Sequence, residues 1–341
     1  MAIEAAVSTP DDRAGIKSLM MDALELPGDS CILDADYLDW KYWRGHPFNA
    51  SSRSRILKKD GAVVAHGCLW PLRLIAGGAQ FDAFHLIDWA ANRNLPGTGI
   101  RVLRYCSAGQ AAVLSIGGSE MTRQILPMFG FKPYNKLVFL WRPLRPVESV
   151  FWDEPAKWKT PLRIMRNIGW CLSSSGRLPN DCEVITGGPG VVPDSLWMKP
   201  IPDQAISLRS AELLAHMPAC PLFESPLFAV LKRRGMPLGY IMLVRRVHEV
   251  RLADYGPPGL DEESAMLLGT AAQSLARTHF HDVPTLAAMT SESSVQAGWI
   301  RAGLHVGSKE TINVLKLTPQ MDPIQAFRLT MIDTDAVSNY P

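Results

Sequence analysis

The sequence predicts an α/β protein that contains two copies of one domain. Two observations support this fold class. Amphipathic helical segments alternate with short apolar runs bounded by turn residues, which is typical of helices packed on a sheet. The order of turns and strands in the first half of the chain also returns in the second half. With 341 residues, the chain is long enough for two domains of ordinary size.

The first half predicts one helix, a strand meander, and then a mixture of helices and strands. Residues 12–26 place apolar side chains three and four positions apart, which indicates an amphipathic helix. Three apolar runs between residues 53 and 91, broken at "KKDG" and "AGGAQ", favour an antiparallel meander. A helix, a buried strand, a second helix and a last strand pair follow at 99–108, 111–116, 119–129 and 132–144.

The second half repeats three features of the first. "KKDGAVVAHGCLWPL" at 58–72 corresponds to "KRRGMPLGYIMLVRR" at 232–246, and "LIDWAA" at 86–91 corresponds to "LADYGP" at 252–257. Gly130 corresponds in the same way to Gly303. A repeat of this length indicates a duplicated domain. The predicted division is therefore a first copy at 1–145, a connection rich in Pro and Trp at 146–205, and a second copy at 206–341.

Composition excludes several classes of protein. A net charge of +2 is too small to suggest a basic surface that binds nucleic acid. The apolar runs are much shorter than the ~20 residues of a membrane span, and the first residues carry acids where a signal peptide would be basic and apolar. Six cysteines without metal-binding spacing are interpreted as buried thiols in a reducing cytoplasm, with a cysteine nucleophile as the alternative.

The connection is predicted to carry one helix, near residues 160–175. Basic and apolar side chains alternate there: Lys157, Lys159, Arg163 and Arg166 with Ile164, Met165 and Ile168. Two interpretations stay open. The helix packs between the two halves, or it makes peripheral contact with a membrane surface.

The ordered set of elements resembles the GCN5-related N-acetyltransferase (GNAT) fold. The set comprises a helix, a meander, a turn with glycines, a helix, a strand, a helix ending in "FGF" and final strands. With "YLDWKYW" at 37–43, the chain is similar to tandem GNAT proteins of bacterial polysaccharide and envelope biosynthesis. The resemblance implies two tandem GNAT-like domains, each a mixed, mostly antiparallel sheet flanked by helices. It covers most of 1–145 and, more weakly, 206–317.

The resemblance also implies a site for acetyl-CoA or another acyl-CoA. The family turn Arg/Gln-x-x-Gly-x-Gly/Ala aligns with "NLPGTG" at 94–99. Glycines let the backbone approach a phosphate, and a helix N-terminus attracts anions. A plain corner between strand and helix would use the same glycines. The implied cofactor-binding residues are Trp89, Ala90, Ala91, Asn94, Gly97, Thr98, Gly99, Ile100 and Arg101.

Two departures bear on this site. Asn94 replaces the usual Arg or Gln, which leaves Arg93 and Arg101 as candidate phosphate partners. In the second copy the turn is "YGPPGLDEE", in which two prolines remove N–H donors and three acids repel phosphate. The second copy is therefore predicted not to bind CoA in this way.

Catalytic candidates lie on the strand before the turn. By alternation Asp88 and His85 face opposite sides of the sheet, so they share one pocket only if a bulge intervenes. Asp88 is the candidate base, but Asp254 holds the same place in the second copy, so a structural anchor is the alternative. His85 is either a second candidate base or a hydrogen-bonded strand histidine. Leu126 replaces the family's acid tyrosine, and Tyr134 is the remaining candidate.

Trp40, Lys41 and Tyr42 are candidate substrate-binding residues, with a place in the core as the alternative. His279 and His281 could ligate a metal or complement a helix end, and no metal site is expected.

The resulting hypothesis is an N-acyltransferase that moves an acyl group from acyl-CoA to a small-molecule amine. An amino sugar or envelope precursor is the acceptor that the resemblance implies. Two rivals stay open: a catalytically inactive GNAT-like binding or scaffold protein, and a FemAB-type transferase that takes its aminoacyl group from tRNA.

Overall fold

One continuous sheet forms the centre of the protein. The computed structural model describes residues 3–151, 157–173, 176–197, 201–316, 318, 321 and 323–335. The strands are β1 Ile3–Val7, β2 Ser54–Lys59, β3 Ala62–Ala76, β4 Ala79–Ala91, β5 Ala112–Ile116, β6 Lys132–Pro143, β7 Cys182–Gly187, β8 Gln204–Ser207, β9 Glu224–Arg233, β10 Met236–Arg246, β11 Glu249–Gly256, β12 Thr285–Thr290, β13 His305–Lys316 and β14 Ala326–Arg328.

Helices cover the sheet. They are α1 Arg13–Leu24, α2 Ala35–Leu38, α3 Thr98–Ser107, α4 Glu120–Ile125, α5 Glu148–Phe151, α6 Thr160–Leu172, α7 Ala211–His216, α8 Glu262–His279 and α9 Ser293–Arg301. The main path of the sheet runs β1-β2-β3-β4-β5-β13-β6-β12-β11-β10-β9-β7. Its pairs are antiparallel except β4 with β5 and β11 with β12. The structure thus confirms a mixed, mostly antiparallel sheet flanked by helices.

The two halves exchange strands at the middle of the sheet. Strand β5 of the first half pairs with β13 of the second half, and β12 of the second half pairs with β6 of the first. Strands β6 and β13 also pair with each other. In each half, the strand that pairs next to the two parallel strands is therefore supplied by the other half. These parallel strands are β4 and β5 in the first half and β11 and β12 in the second.

The repeated sequence segments adopt the same backbone in both halves. Asp60 and Gly61 have φ of 52° and 81°, and Arg234 and Gly235 have φ of 52° and 78°. Positive φ at both central residues is the signature of a type I′ hairpin turn. Gly130 and Gly303 also correspond, with φ of 83° and 94° after a helical segment. The residues that correspond in the two halves of the sequence therefore also have similar backbone conformations.

Most predicted elements are confirmed, with shifts at their ends, but the strand pair predicted at 132–144 is one continuous strand, β6. The helix predicted at 12–26 ends at Leu24, because Glu25 adopts φ of +56°. The helix predicted at 119–129 divides into α4 and a 3₁₀ turn at Leu126–Phe129, which contains Pro127. Strand β7, inside the connection, is not predicted by the sequence pattern. It pairs only with β9 and is half-exposed, so it lacks the apolar run that marks an inner strand.

The largest hydrophobic core belongs to both halves. Trp40 of the first half stacks on His216 of the second, with ring centroids 5.4 Å apart, and also contacts Phe223 at 6.5 Å. Trp70 donates a hydrogen bond to the carbonyl of Ile332 at 3.3 Å. Both tryptophans are at most 4% exposed. The halves are therefore joined by packing as well as by strand pairing.

The strand exchange predicts that residues 1–145 do not fold alone. Without β13 and β12, this fragment would expose the inner edges of β5 and β6, and unpaired edges favour aggregation. We expect an insoluble fragment, or one without a cooperative unfolding transition in circular dichroism. Co-expression with residues 157–341 as a separate polypeptide is expected to restore a soluble complex. A folded, monomeric 1–145 fragment would contradict the exchange.

Candidate functional site

Strand β4 carries a bulge at Asp88. The backbone of Asp88 has φ of +49°, which a non-glycine residue rarely adopts. The pairing of β4 with β3 shifts there, between the pairs His66–Ala90 and Cys68–Ile87. An extra β4 residue is accommodated at this point, as in a β-bulge.

The bulge changes the face to which Asp88 points. Regular alternation would place Asp88 with Leu86, on the side of the sheet covered by α3. Instead, the Asp88 carboxylate bonds to Tyr42, which lies in the core on the other side. His85 is within electrostatic reach of both Lys41 and Asp88. The alternation of the strand allows His85 and Asp88 to face the same side of the sheet only if a bulge lies between them. The structure contains this bulge.

Asp88 is the centre of a buried polar network. Its carboxylate lies 2.7 Å from the Lys41 ammonium and accepts a hydrogen bond from the Tyr42 hydroxyl at 2.7 Å. The side chains of Asp88 and Lys41 are 4% and 2% exposed. Burial alone would raise the pKa of Asp88, but the charge and hydrogen bond of Lys41 hold it below its ordinary value. Asp88 is thus a carboxylate at neutral pH, and a weak base.

His66 secures the bulge from the neighbouring strand. Its Nδ1 lies 2.9 Å from the carbonyl oxygen of Asp88, and its Nε2 lies 3.0 Å from the Ser54 hydroxyl. A carbonyl only accepts, so Nδ1 carries the hydrogen and Nε2 accepts from Ser54. Burial lowers the pKa of His66, which keeps this ring neutral. Side chain and backbone of Asp88 are therefore both fixed.

Strands β4 and β5 separate just before the bulge. They pair only from Ala83–Ala112 to His85–Leu114, although β4 continues to Ala91. The Asp88 side chain is only 4% exposed, although the residue as a whole is half-buried. The solvent-accessible atoms of Asp88 are therefore those of its backbone. Beyond His85, β4 thus has no strand partner on its β5 side among the described residues, and an extended amide-bearing ligand could pair with this edge.

The two glycines of the turn have different roles. Gly97 precedes α3 with φ of +84°, no side chain caps the helix, and a Cβ built on Gly97 meets no atom within 4 Å. A Cβ on Gly99 would lie 3.3 Å from that of Ala91, and the Gly99 carbonyl accepts from Trp89 Nε1 at 3.0 Å. Gly99 therefore serves helix packing, and Gly97 leaves the helix start open to a ligand.

Other predicted cofactor-binding side chains are engaged locally. The Thr98 hydroxyl donates to the Leu95 carbonyl at 2.8 Å. Arg93 pairs with Glu25 at 2.7 Å, and Arg101 donates to the Ile3 carbonyl at 3.2 Å. The Asn94 side chain is exposed at the turn, Ala90 is buried in β4, and Ile100 is half-buried in α3. Backbone groups, more than arginines, line the turn.

The second half contains a corresponding carboxylate network. Asp254 forms two hydrogen bonds with the Arg209 guanidinium, both 2.9 Å long. It also accepts from Tyr240 and from Thr330, each at 2.7 Å. Tyr240 stands in the repeat where His66 stands in the first half. Arg209 and Asp254 are at most 1% exposed.

In the second half, the chain's own carboxylates occupy the turn. Glu292 accepts from the Gly259 N–H at 2.7 Å, and Asp261 caps α8 by accepting from the Ser264 N–H at 2.7 Å. Arg328 binds Glu292 at 3.0 Å and donates to the Tyr255 carbonyl at 2.6 Å, beside the point where β11 and β12 part. The position that corresponds to the open helix start near Gly97 is thus occupied in the second half by side chains of the protein itself.

The remaining predicted site residues lie elsewhere. The structure places the substrate-binding candidates Trp40, Lys41 and Tyr42 in the core, with exposures of 1%, 2% and 0%. Tyr134 lies on β6, separated from β4 by β5 and β13, with its ring edge-on to Phe327 at 5.1 Å. Among the described residues, no three His, Cys, Asp or Glu side chains are grouped to hold a metal.

Sequence reasoning missed the partners of the two buried carboxylates. The sequence pattern indicates Lys41 and Tyr42 only as substrate-binding or core residues, and it marks neither His66 nor Arg209 as a partner of a carboxylate. One signal was available: His66 and Tyr240 occupy equivalent positions of the repeat, and both are polar within apolar strands.

Comparison with solved structures identifies the fold. The chain superposes on a probable N-acyltransferase of Enterococcus faecalis V583 with a TM-score of 0.57 and 9% identity, covering 94% of this chain and 74% of that one. A tandem GNAT protein from the clavulanic acid biosynthesis pathway gives a TM-score of 0.57 and 10% identity, covering 93% and 99%. Saccharomyces cerevisiae N-myristoyltransferase, solved with bound myristoyl-CoA, gives 0.54 and 10%, covering 92% and 80%.

No protein-family model and no curated protein matches the sequence. At these low identities the structural likeness concerns the fold, which is that of GNAT proteins, including one with tandem domains.

Replacing Asp88 by Asn tests how strongly the buried network stabilises the fold. The change leaves the Lys41 ammonium beside a neutral amide, and removal of one partner of a buried ion pair typically costs about 3 to 5 kcal/mol of unfolding free energy. Asp82→Asn is the matched control on the same strand. Its carboxylate is 63% exposed and pairs with Arg73 at 3.0 Å, so the expected loss is at most about 1 kcal/mol. Equal losses of the two variants in urea unfolding would contradict a stabilising role for the buried ion pair.

Proposed function

We propose that this chain is an N-acyltransferase that uses acyl-CoA and acts from its first half. The observation that carries the proposal is the contrast between the two halves. In the first, the bulged end of β4, which has parted from β5 but still pairs with β3, leads to a helix start with no internal cap at Gly97. In the second, Glu292, Asp261 and Arg328 fill the corresponding place. The GNAT fold of the structural neighbours, one of them solved with myristoyl-CoA, supports the same choice of ligand.

The geometry suits a phosphopantetheine thioester. The edge of β4 beyond His85, on its β5 side, would pair with the amides of the pantetheine arm, as a strand edge pairs with an extended peptide. The first-turn N–H groups of α3 would receive the phosphates. Asn94 would hydrogen-bond a phosphate without adding charge, so the expected affinity is lower than with an arginine there.

The proposed reaction is direct acyl transfer. An amine nitrogen attacks the thioester carbonyl, a C–N bond forms, the C–S bond breaks, and CoA leaves as a thiolate. The amine loses one proton to a nearby acceptor, and that acceptor returns the proton through water to the thiolate, so the step balances. A backbone N–H at the bulge would stabilise the negative charge that develops on the carbonyl oxygen.

The predicted catalytic residues receive distinct roles in this proposal. Asp88 acts as a positioning residue, because its carboxylate is ion-paired and its pKa is lowered despite burial. His85 is the proposed proton acceptor: burial lowers its pKa, so the ring is neutral, and its Nδ1 has no hydrogen-bond partner among the described residues. Tyr134 would act only through water, since it lies on β6.

An amine-bearing small molecule is the proposed acceptor, and an amino sugar or envelope precursor in the cytoplasm is the version that the sequence resemblance suggests. A FemAB-type use of charged tRNA is less favoured, because a net charge of +2 provides no electrostatic basis for binding a polyanion. The inactive binding protein is the main rival, since Leu126 stands where the family carries its acid.

Gly97→Glu tests the ligand assignment. It introduces a carboxylate at the open start of α3, and we expect at least about a 100-fold weaker affinity for acetyl-CoA by calorimetry, because a charge there repels phosphate. Gly109→Glu is the matched control. Gly109 follows the other end of α3, has φ of +75° and also has open space around it. Its affinity is expected to stay within about twofold of the parent.

Equal affinity of the two glutamate variants would contradict the site. An assay of thioester cleavage with a panel of amines then distinguishes an active acyltransferase from an inactive binding protein. Binding of acetyl-CoA without cleavage by any amine would favour the binding protein, whereas an enzyme is expected to release free thiol. A ligand at 100 times its Kd adds about 2.7 kcal/mol of stability, so thermal shift shows whether the protein in each assay is loaded.

A further inference from the structure

The outward face of α6 is apolar. The exposed large side chains on this face are Trp158 at 72%, Leu162 at 62%, Met165 at 69%, Ile168 at 40% and Leu172 at 78%. Trp158 belongs to the 3₁₀ turn Lys157–Lys159 that leads into the helix. These residues lie three or four positions apart, so they form one stripe. A helix on a globular protein normally turns its polar side outward, and this one does the reverse.

Packing fixes the orientation of the stripe. On the opposite side of α6, Asn167 is 1% exposed and donates to the Ser149 hydroxyl at 2.9 Å. Trp170 packs edge-on against Trp141, with centroids 5.2 Å apart, and stacks on His305 at 3.7 Å. The stripe therefore points away from the protein because the other side of the helix is already occupied.

Positive charge flanks the stripe. Residues 157–172 contain Lys157, Lys159, Arg163 and Arg166 and no acidic residue. Lys159 Nζ lies 4.8 Å from the Trp158 ring centre, and the Arg166 guanidinium lies 4.4 Å from that of Trp170. Lys159 therefore lies beside the stripe residue Trp158, whereas Arg166, although exposed, lies beside Trp170 on the packed side of α6.

We propose that α6 lies in the surface of a membrane rich in anionic phospholipids, with Leu162, Met165 and Leu172 among the acyl chains and its cations at the headgroups. An apolar face with tryptophan and leucine, bordered by Lys and Arg, is the pattern of an interfacial helix. At 13 residues, α6 is about 20 Å long and too short to cross a bilayer. None of the helices in the described ranges is long and apolar enough to cross one.

A protein partner fits this face less well. One face of a helix about 20 Å long supplies only part of the roughly 800 Å² of accessible surface that a stable interface buries per partner, so a protein partner would need further contacts beside α6. In a twofold dimer of this chain, the same patch would meet itself. The cations of one copy would then face those of the other, without an acidic residue in 157–172 to compensate.

The test is co-sedimentation of the full chain with large unilamellar vesicles. We expect binding to phosphatidylcholine vesicles that contain phosphatidylglycerol, weaker binding to pure phosphatidylcholine, and loss of binding as salt rises from about 0.1 M to 1 M, where screening is strong. The double variant Leu162→Gln with Met165→Gln is expected to bind at least about tenfold more weakly.

The matched control is Met236→Gln with Val247→Gln, two side chains that are 71% and 63% exposed on hairpins of the second half. It is expected to bind like the parent. Thermal unfolding checks that both variants fold, since each changes only exposed positions. Failure of the parent to bind anionic vesicles would overturn the proposal, as would equal binding of the α6 variant. Salt-independent self-association that the α6 substitutions abolish, without vesicle binding, would identify a dimer interface instead and also overturn it.

Discussion

A carboxylate inside a sheet requires cations and hydrogen-bond donors, and each half of this protein has one beside the point where its parallel strands part. Asp88 depends on Lys41 and Tyr42, and Asp254 depends on Arg209 and Tyr240. Loss of one partner from such a pair leaves an uncompensated buried charge. The bulge, the gap beside β4 and the start of α3 lie at or next to the first of these carboxylates along the chain.

The two halves differ at the turn after this carboxylate. The first half leaves the start of α3 open at Gly97, whereas the second half satisfies its turn with Glu292 and Asp261. An internal carboxylate on a turn N–H takes the position that a phosphate oxygen would otherwise use. The second half has no open turn, but the first half depends on it structurally. The second half supplies β13, which pairs with β5, and part of the shared hydrophobic core.

Much of the fold is predictable from the sequence, and the site only in part. Local patterns predict α1, α3, the meander and the glycine turns, because periodicity and positive φ leave direct marks on residue choice. The bulge at Asp88 is not predictable, since it depends on His66 and Lys41, which are distant in sequence. The aromatic cluster at Trp40 resembles a binding surface in sequence, yet the second half buries it. The exchange of β6 and β13 leaves no local signal at all.

The central claim is that one half binds acyl-CoA and the other is closed to it. The most direct measurement is the stoichiometry of acetyl-CoA binding to the full chain, from calorimetry at a protein concentration well above Kd. One molecule of acetyl-CoA per chain is the result that this account predicts. Two molecules per chain, or none, would contradict it.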